Sequence, residues 1–494
     1  MAHVWIGIDL GTSSVKCVAL DERASVIATS QERYPVNRPR PGWAEQDPES
    51  WWLAVVAALA GLLHRLPAGT SVGGAGLSGQ MHGLVLVDNA LRPVRPAIIW
   101  SDSRASREVE YWRARVGDNE IEAKTGFRPA SGMAGVSLSW VRAHEPEAFA
   151  RAAFAMQPKD YVRLRLTGRA GLDPTDAGAS LLFDVRSGVP AQPLLDIAGV
   201  GRDLLPQVVA TLAPFGTVTQ AAARETGLAP GVLVATGGSD QAMAAFGLGL
   251  DSSDRAAISL SSGGTVLVPI DSSAAVPPGY HRLAAATPRH NLAMGVILAA
   301  GLATEWLASM LNRSVQELLE AAADVSVDDA LIGLSDFGGT RTPRVDGAPQ
   351  GAFSGIGFHH EPAHLMRALV EGAAVSLAGA LADIQPGTLK AKTVVLSGGG
   401  ARFAVWRQSV ADATGLPVTI SADLEHSALG AALSAAAAAE ADVTFDAAQR
   451  VHGIVQPSEE SVARLRRQSE RRAALAEVSS TRRHPQNYGS GDPK

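Results

Sequence analysis

Only one cysteine, Cys17, stands among the 494 residues. That excludes a disulfide framework within the chain and any cysteine-rich metal site, and it fits a reducing compartment. Aromatic residues are few, at 5%. Positive charge is not in excess either: 43 Lys and Arg stand against 49 Asp and Glu, a net charge of −6. The broad basic surface on which nucleic-acid binding depends is therefore not on offer. No segment is expected to span a membrane; the longest small-apolar stretch, residues 428–439, is alanine-rich, contains Gly430 and Ser434, and reads as a packed helix. Asp9 interrupts the first apolar run and no basic region precedes it, so a secretory leader is not expected and a cytoplasmic protein is. What the chain has in quantity is hydrophobic material, at 46%, and length, which together predict an α/β protein of two or more domains.

The pattern along the chain is strand-rich at the start. Residues 3–9 read as a buried strand, Gly11-Thr12-Ser13-Ser14 as a tight turn, and 15–20 and 25–30 as two further strands of an antiparallel meander. A helix is expected from Asp47 as N-cap and Pro48 as first residue through 66, with Trp51 and Trp52 as core and surface neighbours on it. A strand at 71–77 leads into the polar turn 78–83. The second half opens in the same way: a strand at 256–260, the turn Ser261-Ser262-Gly263-Gly264, and a return strand at 265–270. A strand at 393–396 then runs into Gly398-Gly399-Gly400 and a helix over 401–414. Two similar halves predict a duplicated domain with a cleft between the copies: residues 1–246 and 247–455, followed by a charged surface helix and a disordered tail over 456–494.

Chemistry concentrates in the turns. Asp9, Gly11, Thr12, Ser13 and Lys16 place a carboxylate, backbone amides, hydroxyls and an ammonium around one hairpin, a set suited to phosphate oxygens and a hydrated Mg²⁺. The Gly-x-Gly-x-x-Gly spacing at 74–79 lies in a strand rather than opening a helix, so it carries no dinucleotide reading. Neither a Walker-type phosphate loop, a nucleophile elbow nor a helical pair of metal-binding histidines is present. A strand at 232–235 ends in Thr236-Gly237-Gly238-Ser239-Asp240-Gln241. There Asp240 is either a helix N-cap or a carboxylate facing the cleft, able to accept a proton from a substrate hydroxyl.

Four motifs, Ile8-Asp9-Leu10-Gly11-Thr12, Gly79-Gln80-Met81-His82-Gly83, Gly238-Ser239-Asp240 and Gly398-Gly399-Gly400-Ala401, occur in an order that resembles the FGGY carbohydrate kinases. Trp100-Ser101-Asp102-Ser103-Arg104, the stretch 158–168 and Arg341-Thr342-Pro343 support the likeness, which runs from Val4 to Ala439. It implies two actin-like, ribonuclease-H-like ATPase domains, with ATP, Mg²⁺ and a small sugar meeting in the cleft. Residue by residue, Asp240 matches the catalytic base, and Asp9 and Asp240 the groups near Mg²⁺. Met81 and His82 match the pair that contacts a ketose, with Gln80 and Gln241 beside that site. Gly11, Thr12, Ser13 and Lys16, together with Ser262, Gly263 and Gly264, match phosphate-holding turns, and Gly399, Gly400 and Ala401 lie against adenosine. Within the family the pattern is most similar to the members acting on D-xylulose. A kinase for ribulose or an alditol, or a nucleotide-dependent sensor of the same fold, is the alternative; neither nucleic acid nor membrane is an expected partner, and a homodimer is left open. The sequence departs from the family at Gln241, where asparagine is usual, at the order of residues in 261–264, at Thr340 in place of a glutamate, and at Ser137 in place of a lysine.

Overall fold

The apolar run at the start of the chain becomes the centre of a sheet. In the computed structural model, residues 3–326, 329–339, 341–343, 349, 351–385, 390–421, 425–446 and 450–481 are described. Thr340 and the expected tail from His484 onward lie outside the described residues. The first sheet holds seven strands: β1 (His3–Leu10), β2 (Ser14–Leu20), β3 (Val26–Arg33), β4 (Ser71–Gly79), β5 (Pro214–Thr217), β6 (Leu233–Ala235) and β7 (Gly238–Ser239). Their order is β3-β2-β1-β4-β6-β5, with β7 also beside β4. The first three form the expected meander, whereas β4 runs parallel to β1, and β6 and β7 run parallel to β4. Parallel neighbours release their following loops at one edge, the usual place for a ligand in an open α/β sheet. The loops after β1, β4 and β7 therefore emerge together, with Leu10 and Ser239 both opposite Gly79.

Helices from the first half of the chain that pack about this sheet include α1 (Pro48–Arg65), α2 (Pro158–Thr167), α3 (Pro174–Ala179) and α4 (Asp240–Gly247). Helix α1 starts as its sequence dictates, with the Asp47 side chain accepting from the Glu49 amide at 3.0 Å and Pro48 in the first turn. The expectation for its two tryptophans is corrected: Trp51 and Trp52 are both fully buried. Neighbours on a helix point about 100° apart, and α1 is flanked by β2 and β3 on one side and by α2 and the helix Gln220–Thr226 on another, so both directions lead inward. Each indole finds an acceptor, Trp51 at Gln46 (3.2 Å) and Trp52 at Glu225 (2.6 Å).

The second sheet runs β10-β11-β9-β8-β12-β13-β14, from β8 (Arg255–Leu260), β9 (Gly264–Ile270), β10 (His281–Ala284), β11 (Asn291–Ile297), β12 (Thr393–Ser397), β13 (Val418–Ser421) and β14 (Val451–Val455). Strands β8 and β12 are parallel, with Ser259 opposite Ser397, so the turns that follow them leave the sheet at the same edge. The later helices are α5 (Pro362–Ile384), α6 (Ala404–Thr414), α7 (His426–Ala438) and α8 (Glu459–Thr481). The helix expected over 401–414 is split: a 3₁₀ turn, Gly399–Arg402, precedes α6.

By length and composition α5 could cross a membrane. Its surroundings are those of a core helix, because it packs against α6 and carries a buried Glu371 held by Arg464 of α8 at 2.7 Å and 2.9 Å and by Arg367 at 2.9 Å. That ion pair also corrects the expectation of a fully solvated arginine face on α8. Arg464 and Arg472 are buried, the latter bonding the Gly333 carbonyl at 2.7 Å, while Arg467 and Arg471 remain exposed. A buried carboxylate needs a bidentate partner, and an arginine fork supplies one.

The chain groups into two compact units: Met1–Ser253, Leu267–Met294 and Ala422–Val451 in one, Asp254–Val266, Gly295–Ser421 and His452–Lys494 in the other. Helix α7, from late in the sequence, thus belongs with the first sheet. It is built from alanine, glycine and serine because it lies almost on the backbone of β1 and β4. A Cβ at Gly7 would stand 1.9 Å from the Ala428 carbonyl oxygen, and one at Gly76 the same distance from that of Ala431. On its other side α7 touches α4 as closely, a Cβ at Gly430 falling 1.9 Å from the Met243 carbonyl oxygen. Gly76→Ala is expected to destabilise the fold by about 1–3 kcal/mol through overpacking. Gly379→Ala, on α5 where a new Cβ meets nothing within 4 Å, is expected to stabilise it by about 0.5–1 kcal/mol. Denaturant melts of the two variants check the pair; equal effects would contradict the packing described.

Candidate active site

Side chains alternate along β1, so Gly7 and Asp9 share the face on which α7 lies. Register puts Lys16 opposite Asp9 on one side and Ser78 opposite it on the other. Because α7 holds α4 close to this face, the first residue of α4, Asp240, comes within electrostatic reach of Asp9. Ser239, not Asp240, is the N-cap residue, so the Asp240 carboxylate is not consumed in capping α4. It accepts the Gln241 amide at 2.8 Å, and its own carbonyl accepts the Ser427 hydroxyl of α7 at 3.2 Å.

Burial pushes Asp240 up to about 7, and the negative charge of Asp9 adds to the rise while bonds from Gln241 oppose it. Burial likewise pushes Asp9 up to about 6, with the Ser78 hydroxyl and the Lys16 ammonium working against it. Two buried carboxyls whose titration is raised toward neutral pH are the arrangement expected of an acid–base site. The Asp9 Oδ1 atom is buried and has no hydrogen-bond partner among the described residues. Lys16 is not directed at the turn alone: its ammonium pairs with Glu425 at 2.6 Å.

The hairpin turn after β1 is held by its carbonyls. The Gly11 carbonyl accepts the Tyr34 hydroxyl, the Thr12 carbonyl accepts Gln46 at 2.8 Å, and the Ser13 carbonyl accepts the Tyr34 amide at 3.1 Å. The amides of Thr12 and Ser13 have no acceptor among the described residues, and the turn is open to solvent. A loop with tethered carbonyls and open amides presents donors to an anion. The turn after β8 repeats the device. There the carbonyls of Ser261 and Ser262 accept the amides of Gly301 (3.0 Å) and of Ala300 and Leu302 (3.0 and 2.9 Å), and that of Gly263 accepts the Ser261 amide (2.9 Å). The amides of Ser262 and Gly263 stay open among the described residues, and Gly264 begins β9. Gly398, at φ +84°, turns the chain after β12, and Gly399, Gly400 and Ala401 form a short 3₁₀ turn pressed against Leu260, where a Cβ at Gly400 would stand 2.7 Å from the leucine Cβ.

The family models that match the sequence are the N-terminal domain of the FGGY carbohydrate kinases over residues 4–247 and the C-terminal domain over 256–439. The chain belongs to the FGGY family of carbohydrate kinases. It is 35% identical over 418 residues to the xylulose kinase of Escherichia coli, covering 83% of this chain and 85% of that one. It is 32% identical over 437 residues to the xylulose kinase of Bacillus subtilis, covering 87% of each. Among solved structures, the xylulose kinase from Rhodospirillum rubrum superposes with a TM-score of 0.86 at 28% identity, covering 96% of this chain and 98% of that one. The α/β fold with two FGGY domains is as the sequence implied.

Of the expected residues in this kinase, Asp9, Gly11, Thr12, Ser13, Lys16, Gln80, Met81, His82, Asp240 and Gln241 all lie in the first unit, and Ser262, Gly263, Gly264, Gly399, Gly400 and Ala401 in the second. Gln80 is buried and its amide bonds Gln46 at 2.9 Å, so it braces the hairpin turn. Met81 is nearly buried. His82 adopts φ +71° and is fixed by a bond between Nδ1 and the Ala179 carbonyl at 2.9 Å and by edge-on contact with Phe127. Sequence reasoning missed Tyr34 and Gln46, which tether the turn, and did not place Trp100 in the site. Trp100 is half exposed and donates from Nε1 to the Thr12 hydroxyl at 2.9 Å. An exposed tryptophan in a motif already singled out was the available signal; Tyr34 and Gln46 carried none.

The raised carboxyls make a prediction about stability. Folded values of about 6 and 7 lie above the ordinary carboxylate range near 4, so each group binds its proton more tightly folded than unfolded. The stability they contribute is fully present below about pH 4 and falls as pH rises, the loss being complete once pH has passed the folded values of about 6 and 7. Asp240→Asn, which carries no charge at any pH, is expected to flatten the fall in Tm between pH 4 and pH 7. A Tm profile identical to that of the parent would show that Asp240 is not desolvated.

Proposed function

We propose that this kinase transfers the γ-phosphoryl group of ATP to the 5-hydroxyl of D-xylulose in the cytoplasm, with Asp240 as the general base. The observation that carries the reading is the desolvated Asp240 beside Asp9, at the sheet edge where the anion-ready hairpin turn and the Gln80–Met81–His82 segment also emerge. Asp240 takes the proton of the sugar hydroxyl while the oxygen attacks the γ-phosphorus and ADP departs. A base poised near neutrality suits that transfer. The remaining work is positioning and charge balance, the usual burden of phosphoryl-transfer enzymes. The open amides of Thr12 and Ser13, and those of Ser262 and Gly263, donate to phosphate oxygens, and the 3₁₀ turn at Gly399, Gly400 and Ala401 faces the nucleoside.

Asp9 suits a hard cation: its unpartnered Oδ1 is a free oxygen ligand, and Asp240 supplies a second carboxylate nearby. When bound, Mg²⁺ supplies neutralising charge to the phosphate oxygens. For the sugar, the Met81 thioether offers a soft apolar contact, and the fixed His82 ring and Gln241 offer polar ones. Such groups penalise a sugar whose hydroxyl is missing or misplaced, because they are then left unpaired.

An ADP-release assay over ketoses, aldoses and polyols tests the substrate. D-Xylulose is expected to give a higher kcat/KM than D-ribulose, glycerol or any alditol, and His82→Ala to erode that preference. Faster turnover of D-ribulose or an alditol would overturn the choice of sugar while leaving the kinase intact. Asp240→Asn is expected to lower kcat by about 10²–10⁴. Turnover close to that of the parent would remove Asp240 from the role of base.

A further inference from the structure

Beneath the edge that carries Asp240 lies a buried group of charges whose size nothing in the reaction requires. Lys159, Asp160, Arg163, Asp173 and Asp176 are all fully buried. The three carboxyls converge closely enough to suit a cation, and that place is taken by the Lys159 ammonium, 2.7 Å from Asp160, 2.8 Å from Asp176 and in contact with Asp173. Arg163 forms a second ion pair with Asp160 at 2.8 Å. With two cations among three carboxyls, one carboxyl keeps its proton. Burial raises Asp176 well above its ordinary range, whereas Lys159 helps to hold Asp173 below it.

The cluster reaches the catalytic turn at two points. Arg163 donates to the Thr236 carbonyl at 2.5 Å, where the turn begins. At the other end the Ser239 amide, one residue before Asp240, donates to the Thr175 hydroxyl at 2.7 Å. Thr175 in turn donates to Asp173 Oδ1 at 2.5 Å. The direction of this chain is dictated by charge. Asp173, held ionised by Lys159, can only accept, so the single hydroxyl proton of Thr175 goes to it and a lone pair is left for the Ser239 N–H. The space is matched as well: a Cβ at Gly238 would stand 3.1 Å from Thr175 Oγ1, and one at Gly237, where φ is +72°, would stand 2.2 Å from the Leu77 carbonyl oxygen.

We propose that Thr175, oriented by the buried Lys159–Asp173 pair, is a positioning residue for Asp240, fixing through the Ser239 amide where the first turn of α4 places the base. The inference rests on the reading of Asp240 as that base. A charged cluster fits this task because removing one link leaves a buried group unpaired, so the arrangement has few alternatives of similar energy.

Thr175→Val keeps the shape of the side chain but removes both bonds. It is expected to fold, to lower kcat by about tenfold to a hundredfold as the base shifts, and to leave the KM for the sugar within about threefold. Thr175→Ser, which restores the hydroxyl, is expected to recover most of kcat. Unchanged kcat in folded Thr175→Val would overturn the inference, as would an equal loss in Thr175→Ser. If Thr175→Val does not fold, Gly238→Ala, which displaces the same contact, provides the test: a fall in kcat without a matching rise in KM supports the inference, and parental kcat overturns it. Asp240→Asn measured alongside separates the two readings. Loss of turnover in Asp240→Asn with parental kcat in Thr175→Val rejects only the positioning role; retained turnover in Asp240→Asn rejects the base assignment itself.

Discussion

The first unit depends on how closely α7 lies against the sheet and against α4. With glycine at positions 7 and 76 on the strands and at 430 on the helix, backbone meets backbone at distances no side chain would permit. This contact brings three segments remote in sequence to one place: β1 with Asp9, β4 leading to Gln80, and α4 beginning with Asp240. Close-packed interiors transmit small displacements, so the spacing of the two carboxyls follows from the thickness of a helix made of alanine and glycine. The same helix reaches the reacting edge directly, through Ser427 on the Asp240 carbonyl and through Glu425, just ahead of it, on Lys16.

Desolvation is the second consequence of that packing. Burial raises the cost of ionising both Asp9 and Asp240, and the charge of Asp9 adds to that cost at Asp240. Isolated from substrate, this is a local weakness of the fold. In the proposed function the same property is a readiness to accept a hydroxyl proton and a metal ion, and active sites commonly trade stability for that readiness. The cluster around Lys159 shows the opposite solution within the same unit. There the buried carboxyls are supplied with cations at hydrogen-bond distance, and the result is a rigid base under the turn rather than a reactive group.

Much of this was legible in residue types and their order. The meander, the Asp47–Pro48 helix start and the polar turns at 11–14 and 261–264 all follow from short-range rules: alternation, capping and turn composition. Order alone placed Asp240 after two glycines at the end of a strand. What local rules could not provide was partnership. Adjacent helical residues usually divide between core and solvent, yet α1 is covered on two sides and buries both Trp51 and Trp52. The arginines of α8 were read as solvated because charge usually is, yet Glu371, some ninety residues earlier in the chain, draws Arg464 inward.

The sequence by itself therefore determined the α/β class, the kinase family and the two polar turns that follow strands β1 and β8, since each rests on short runs of residues whose chemistry is local. Only the tertiary structure decided that a helix from residues 426–438 joins the first sheet, that Gln80 braces a turn through Gln46, and that the Thr175 hydroxyl accepts the Ser239 amide ahead of Asp240. These are contacts between segments separated by tens to hundreds of residues. They arise where glycine allows close approach and where a buried charge must find its partner, and neither condition leaves a periodic mark on the chain.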